Sequence, residues 1–472
     1  MKKIIIALIT LVSLPLSAQI TTSLSPRRGA AGVVEVLSLE QILDSARRNN
    51  FTIRSAQYNI EAAQQQRKEA FTKYFPKVSA SGVWFNATRD MAEMTVNPSE
   101  MLSPQVAADL SQVLPASALM ALSTPTSISM LKNGVLGTVS AVQPVFAGGH
   151  IVNGNRLAKV GEDVSRLQMQ LSENEVEKNV EKYFWQLVSM QDKMKTIKAS
   201  EELLGDIHKD VDVAVRAGVA MPNDMLQVQL RQNELESQKL KLQDLIFIAT
   251  QLLGQYAGLT PHQSSDGKES IYNFEVVAPT LDQQDHSLPS PSEEGAVVRL
   301  LPEYQLLSKQ VEAANLQRKI SIGQNLPSLG VGVGYNYHNL FDKGRSFGMV
   351  FATLNVPISD WWGGSHAIKR KKIEQQKAVD QLDDNSELLK IRMQNAWNGV
   401  QESYQQLLLA QRRIEHAEEN LRLNRNYYNA GTVKMSDLLQ AQLLFQQAQE
   451  KRTDAFSDYQ NKLLEYKHSI GL

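Results

Sequence analysis

A proline-free seam in the C-terminal third constrains this chain more than any other feature. Leu389, Met393, Ala396, Val400, Ser403, Leu407, Ala410, Ile414, Ala417, Leu421, Asn424 and Tyr428 follow one another at spacings of four and three without interruption. Most are aliphatic or small, which makes the row a coiled-coil seam whose facing helix approaches closely. The last proline is Pro357, so nothing stops the helix before the Asn429-Ala430-Gly431 break. A helix from about residue 364 to 430 is roughly 100 Å long at ~1.5 Å per residue. Such a rod cannot fold back into an ordinary globule, and the rest of the chain has to be fitted along it.

The opening MKKIIIALITLVSLPLSAQ places Lys2 and Lys3 before an apolar run and small residues before Gln19, so residues 1–18 read as a secretory signal peptide. Without those two lysines the formal charge moves from -1 to -3, and no basic excess points to a nucleic-acid partner. The absence of cysteine excludes disulfides, thiolate metal sites and Cys nucleophiles. No later apolar run reaches the ~18 residues a membrane-spanning helix requires. If this exported chain enters a membrane, it does so as β-strands.

After an irregular leader from residue 19 to 36, a helical pattern begins at Leu39 with Ser38 as N-cap and runs towards Phe75, where Pro76 ends it. Residues 77–88 and 134–146 read as strands, followed by a long helix over 150–216 and a turn over 217–224. The programme then recurs. Glu61-Ala62-Ala63 matches Glu312-Ala313-Ala314 and Pro76 matches Pro327 at a separation of 251; Pro144 matches Pro357, Gly218 matches Gly431 and Asp224 matches Asp437 at 213. The chain is thus expected to hold a first repeat (19–260), a linker with equatorial loops (261–295) and a second repeat (296–472) with strands at 328–337 and 346–356, a long helix at 364–430 and a tip at 430–437. Copy one carries 38 extra residues between its strands. That insert, from Arg89 to Asn133, either folds short helices over a mouth or binds something outside.

In copy two, Leu329, Val331, Val333, Tyr335 and Tyr337 share one strand face, and Gly330, Gly332, Gly334, Asn336 and His338 share the other. An apolar face towards lipid and a small, polar face towards a lumen suits a membrane barrel. Phe347, Met349 and Phe351 read as extending the same rule to the next strand, with Trp361 and Trp362 placed for an aromatic belt. Four strands cannot close a barrel, and edges left open in lipid would strand backbone donors and acceptors. The expected solution is an oligomer of eight or twelve strands.

The duplicated architecture, Pro144-Val145-Phe146-Ala147-Gly148-Gly149 before the first long helix, and Tyr428-Asn429-Ala430-Gly431 followed by Ser436-Asp437-Leu438-Leu439-Gln440 together resemble the TolC-like outer-membrane efflux proteins. Copy one repeats the second motif loosely as Arg216-Ala217-Gly218 with Asn223-Asp224-Met225-Leu226-Gln227. The resemblance implies a mainly α chain with a small transmembrane β-barrel portion. Three copies would form a homotrimer, an α-helical periplasmic barrel under a twelve-stranded barrel in the outer membrane of a Gram-negative bacterium. It also implies a periplasmic adaptor and an inner-membrane pump as partners. Transferred here, the adaptor-docking tips are Gly218, Val219 and Ala220 with Gly431, Thr432 and Val433, where glycine lets the backbone reverse.

The same resemblance places a channel constriction at Asp437, Gln440, Asp224 and Tyr428. It departs from the family's pattern at Gln440, where a second acidic residue is expected, and at Val433, where some relatives carry arginine; Lys434 stands nearby. Both aspartates also suit a plain role as first-turn caps. The eight histidines lie too far apart for a metal site. Gly148-Gly149 and Gly363-Gly364 lack the spacing of a phosphate loop and read as strand-to-helix turns. No nucleophile, base and orienter come together, so no enzyme activity and no cofactor are expected. The reading is an outer-membrane exit duct of a tripartite efflux or type I secretion system; the alternative is a non-transporting periplasm-spanning scaffold or envelope tether.

Overall fold

The computed structural model describes residues 35–89, 91–130, 133–263, 270–278, 294–339, 344–358 and 360–471. The expected signal peptide lies outside the described residues. In chain order, β1 (Glu35–Ser38) leads into α1 (Leu39–Asn49) and α2 (Phe51–Thr72). β2 (Lys77–Asn86) is followed by an excursion of β3 (Ala92–Val96), α3 (Pro104–Val113), α4 (Ala116–Ser123) and β4 (Thr126–Met130). β5 (Asn133–Ala147), α5 (His150–Arg216) and α6 (Pro222–Tyr256) complete the first copy. The short strands β6 (His262–Gln263), β7 (Ser270–Ile271) and β8 (Phe274–Val277) come before α7 (Glu294–Leu300). The second copy is α8 (Pro302–Gln324), β9 (Ser328–His338), β10 (Arg345–Asn355), α9 (Asp360–Asn429) and α10 (Met435–Ser469).

The helices α5 and α9, of 67 and 70 residues, are each roughly 100 Å long at ~1.5 Å per residue. Shorter helices pack along them: α2 and α8 accompany the half nearest the strands, and α6 and α10 the half that ends in the glycine turns. No helix among the described residues is long and apolar enough to cross a membrane.

Two parts of the sequence reading need correction at the equator, where the short helices meet. The pattern from Leu39 towards Phe75 is two helices, divided at Asn50. Its buried side chain accepts from Thr52 N at 2.7 Å, capping α2, and donates to Tyr256 O at 2.7 Å, capping the end of α6. A single amide therefore joins two helices 206 residues apart. Residues 19–34, 264–269 and 279–293 lie outside the described residues, but the end of the expected leader and the described part of the linker contribute structure. β1 pairs in parallel with β8, and Leu37, Phe274 and Val276 from this pair enter the main core with Ile42, Val180, Phe184 and Leu253. Strands of four residues carry too little alternation to be read, and their partners lie far apart in sequence.

The four long strands form one antiparallel sheet in the order β10-β9-β5-β2. Both outer strands, β10 and β2, keep an open edge in the single chain. One face is apolar and exposed: Trp84 is 72%, Val333 55%, Tyr335 59% and Val350 82% accessible. The other face carries the glycines of β9 and a polar row, with Ser79 and Ser140 in contact at 3.2 Å and Thr138 donating to Asn336 at 2.9 Å.

The register corrects the reading of β10. Phe347, Met349 and Phe351 stand opposite Asn336, Gly334 and Gly332, which puts them on the glycine face rather than with Tyr335. A Cβ on Gly332 would lie 2.6 Å from Phe351 Cζ. The glycines make room for these bulky side chains, so that face is the crowded one, as on the inside of a curved sheet.

At the strand-to-helix junctions Gly148 and Gly149 adopt φ of 58° and 77°. A Cβ on Gly148 would strike the carbonyl of Gly323 at the end of α8, so this close backbone crossing requires glycine. The second pair differs from the sequence reading: Gly363 and Gly364 lie inside the first turns of α9 rather than in a turn. Gly364 faces the Asn325 side chain, and Trp361 Nε1 donates to Asn325 O at 2.9 Å. The end of α8 is thereby wedged between the starts of α5 and α9.

Candidate functional site

The end of the molecule farthest from the sheet holds the two glycine turns, and they are built alike. Gly218 and Gly431 have φ of 74° and 70°. Gly218 N donates to Val215 O and Val219 N to Ala214 O; Gly431 N donates to Tyr428 O and Thr432 N to Tyr427 O, all at 2.9 to 3.0 Å. These are the same bonds displaced by 213 residues, a helix C-cap of the left-handed glycine type. A Cβ at either glycine would meet nothing within 4 Å. Val219 is 81% exposed, and the backbone of both turns is open to a partner.

Each turn is followed by a helix whose first turn is capped by an aspartate. Met221 N donates to Asp224 Oδ2 at 3.1 Å, and Lys434 N donates to Asp437 Oδ2 at 3.2 Å. Ser436 Oγ adds a donor to Asp437 Oδ1 at 3.5 Å. Each carboxylate sits at the positive end of its helix, where it stabilises the helix by roughly 0.3 to 1 kcal/mol.

Between the turns lies an open cleft of about 840 Å³ that brings together Asp210, Asp224, Tyr428, Gly431, Val433 and Lys434. Tyr428 is half-buried, and burial followed by the charges of Asp224 and Asp210 pushes its hydroxyl above the ordinary range. Burial and the two nearby acids thus disfavour its anion. Arg425 of α9 approaches Asp210 of α5 at 3.9 Å, an ion pair that links the two hairpins. Asp437 and Gln440 do not join the cleft; both are exposed on α10.

A group that sequence reasoning missed lies further along the same helices. Arg231 of α6 is 7% exposed, donating through Nε to Gln442 Oε1 at 3.2 Å and through a terminal nitrogen to Gln446 Oε1 at 2.7 Å, both on α10. Among the described residues its ion pair is to Glu234, at 3.1 Å. Gln446 in turn donates to Gln238 at 3.1 Å and to Glu450 at 2.8 Å. The signal was present in the spacing: Val228, Arg231, Leu235 and Leu242 share one seam, so a cation occupies a core position. A buried polar residue in such a seam fixes register.

This architecture is the fold of outer-membrane channels. It matches the outer membrane protein VceC of Vibrio cholerae at 14% identity and a TM-score of 0.68, over 92% of this chain and 96% of that one. The outer membrane channel CmeC of Campylobacter jejuni matches at 14% and 0.70, over 92% and 85%. CusC, solved in a study of folding and transmembrane channel formation, matches at 13% and 0.75, over 95% of both chains. Residues 303–471 match the outer membrane efflux protein family, which bears out the resemblance seen in the motifs. No protein of curated function matches in sequence.

Proposed function

We propose that this chain is the exit duct of a tripartite efflux or type I secretion system in the outer membrane of a Gram-negative bacterium. The observation that carries the reading is the four-stranded sheet with an exposed apolar face and two open edges, set at one end of helices roughly 100 Å long. Lipid does not tolerate open edges. Three copies joined β2 to β10 close a twelve-stranded barrel, and their helices continue it as a tunnel through the periplasm. The duct is passive, and its inner-membrane pump supplies the energy.

The exposed turns at Gly218–Ala220 and Gly431–Val433 suit docking by the hairpins of a periplasmic adaptor. Arg425 with Asp210 ties one hairpin to the other, and Tyr428 lines the same cleft as Asp224. Asp437 and Gln440, exposed on α10, are left to face the tunnel axis, where three aspartates form a negative ring that favours cations.

Single-channel recording in a planar bilayer tests this. The natural sequence is expected to give a small, cation-preferring conductance that rises in the variant Tyr428→Phe with Asp437→Ala. A folded oligomer that inserts and conducts nothing in either form would leave the periplasmic scaffold as the better reading.

A further inference from the structure

Charge is unevenly placed where the four helices meet the sheet. Residues 67–77, 150–160, 316–326 and 358–372 contain twelve lysines and arginines against two acids, Glu69 and Asp360, in a chain with totals of 49 and 50. The needs of the helices do not explain this band. The run Lys369-Arg370-Lys371-Lys372 lies near the N-terminal end of α9, where the helix dipole gives cations no advantage. Glu374 alone answers it, pairing with Arg370 at 3.7 Å and Lys371 at 2.6 Å among the described residues.

On α2 and α5 the cations converge. Between the two helices lies an open cleft of about 660 Å³, lined nearer the sheet by Phe71, Tyr74 and Val152 and farther from it by Lys68, Arg156 and Lys159. The acid at its floor, Glu162, is already held by Arg67 at 2.9 Å and Arg166 at 2.8 Å. Among the described residues no carboxylate forms an ion pair with Lys68, Arg156 or Lys159. Phe71 and Val152 are 55% and 42% exposed. An apolar end beside a cationic end is matched by an amphiphile that carries a negative head.

The cleft also faces the right way. His150 lines a cavity with Gly330 and Thr353 on the glycine face of the sheet. Lys159 follows nine residues later, about two and a half helical turns, which places it on the opposite side of α5. The cleft therefore lies on the other side of α5 from the cavity that His150 shares with Gly330 and Thr353. Arg156 and Lys159 lie roughly 9 and 14 Å along the axis from the first residue of α5 at ~1.5 Å per residue. Cations just beyond an apolar band meet the headgroups of a bilayer leaflet.

We propose that the cleft between α2 and α5 binds the headgroup of an anionic phospholipid, with Lys68, Arg156 and Lys159 on the phosphate and Phe71 and Val152 against the root of the acyl chains. This rests on the membrane placement of the sheet given above. Native mass spectrometry of the full-length protein in detergent, with phosphatidylglycerol or phosphatidylcholine of equal chain length added, provides the test. The natural protein is expected to retain phosphatidylglycerol at least five-fold over phosphatidylcholine and to keep it in excess inorganic phosphate. Lys68→Ala with Arg156→Ala and Lys159→Ala should bring the ratio close to one. If the triple change disturbs assembly, the single surface change Lys159→Glu should still lower it at least two-fold.

Equal retention of both lipids, an unchanged ratio in the variants, or displacement by inorganic phosphate would each overturn the lipid site. Conductance of the same preparation is a separate readout. A conducting channel without lipid preference removes this inference alone, whereas lipid preference without conductance removes the duct.

Discussion

Glu181, near the middle of α5, carries the clearest electrostatic burden of any single side chain. Burial pushes its carboxyl up to about 7, against the pull of Lys467 and Arg47 and with added repulsion from Glu177. The folded protein therefore holds this proton from the unfolded value of about 4.5 up to about 7. Within that window the folded state binds more protons than the unfolded one, so stability falls as pH rises and levels off above it. Glu181→Gln is expected to remove that part of the slope, raising the thermal midpoint at pH 8 while changing it little at pH 4.5, as followed by the helical circular dichroism signal. Some single residues were legible in the sequence: Ser38 caps α1 with Gln41 in a reciprocal capping box, and Asp224 and Asp437 cap their helices. Asn50 was not legible, because its partner at Tyr256 belongs to a distant helix. The neighbourhood of Tyr428 and Asp224 entered only through the family resemblance, since spacing cannot bring two hairpins together.

Among the elements, α6 and α10 show what a polar residue in a seam does. Arg231 supplies donors to the carbonyls of the buried Gln442 and Gln446. Removing it leaves those acceptors without a partner, at about 1 to 3 kcal/mol each. Arg231→Leu is accordingly expected to speed amide hydrogen exchange along α6 and α10 and to leave α2 and α8 unchanged. Adding Gln442→Leu and Gln446→Leu should recover part of the loss, because an apolar set of similar size needs no partners. Rods and long strands were readable, since seams and alternation repeat over many residues. Which face of β10 carries Phe351 was not, because alternation gives two faces and only the register with β9 says which is which. The start of α9 was misplaced for a related reason. A glycine pair reads as a turn by composition, yet the helix runs through it and uses the missing side chain of Gly364 to admit Asn325.

The whole molecule is a duplicated rod with one departure from its own repeat, the segment from β3 to β4. That segment forms its own two-stranded ladder, and every strand of the main sheet keeps its partners without it. Replacing residues 91–130 by a short turn is expected to preserve the proposed oligomer, measured by native mass spectrometry, and to leave the main sheet intact. The duplication itself was legible from offsets of glycine, proline and aspartate, whereas the equatorial core was not, since its pieces come from segments without periodicity. The open edges at β2 and β10 carry a consequence for how such a protein is made. A newly exported chain exposes two unsatisfied ladders, and each will pair with whatever strand arrives first. In the proposed trimer, correct closure would depend on meeting sister chains sooner than strangers, so maturation is expected to slow steeply as export becomes sparse, with solitary chains lost to aggregation or to proteases.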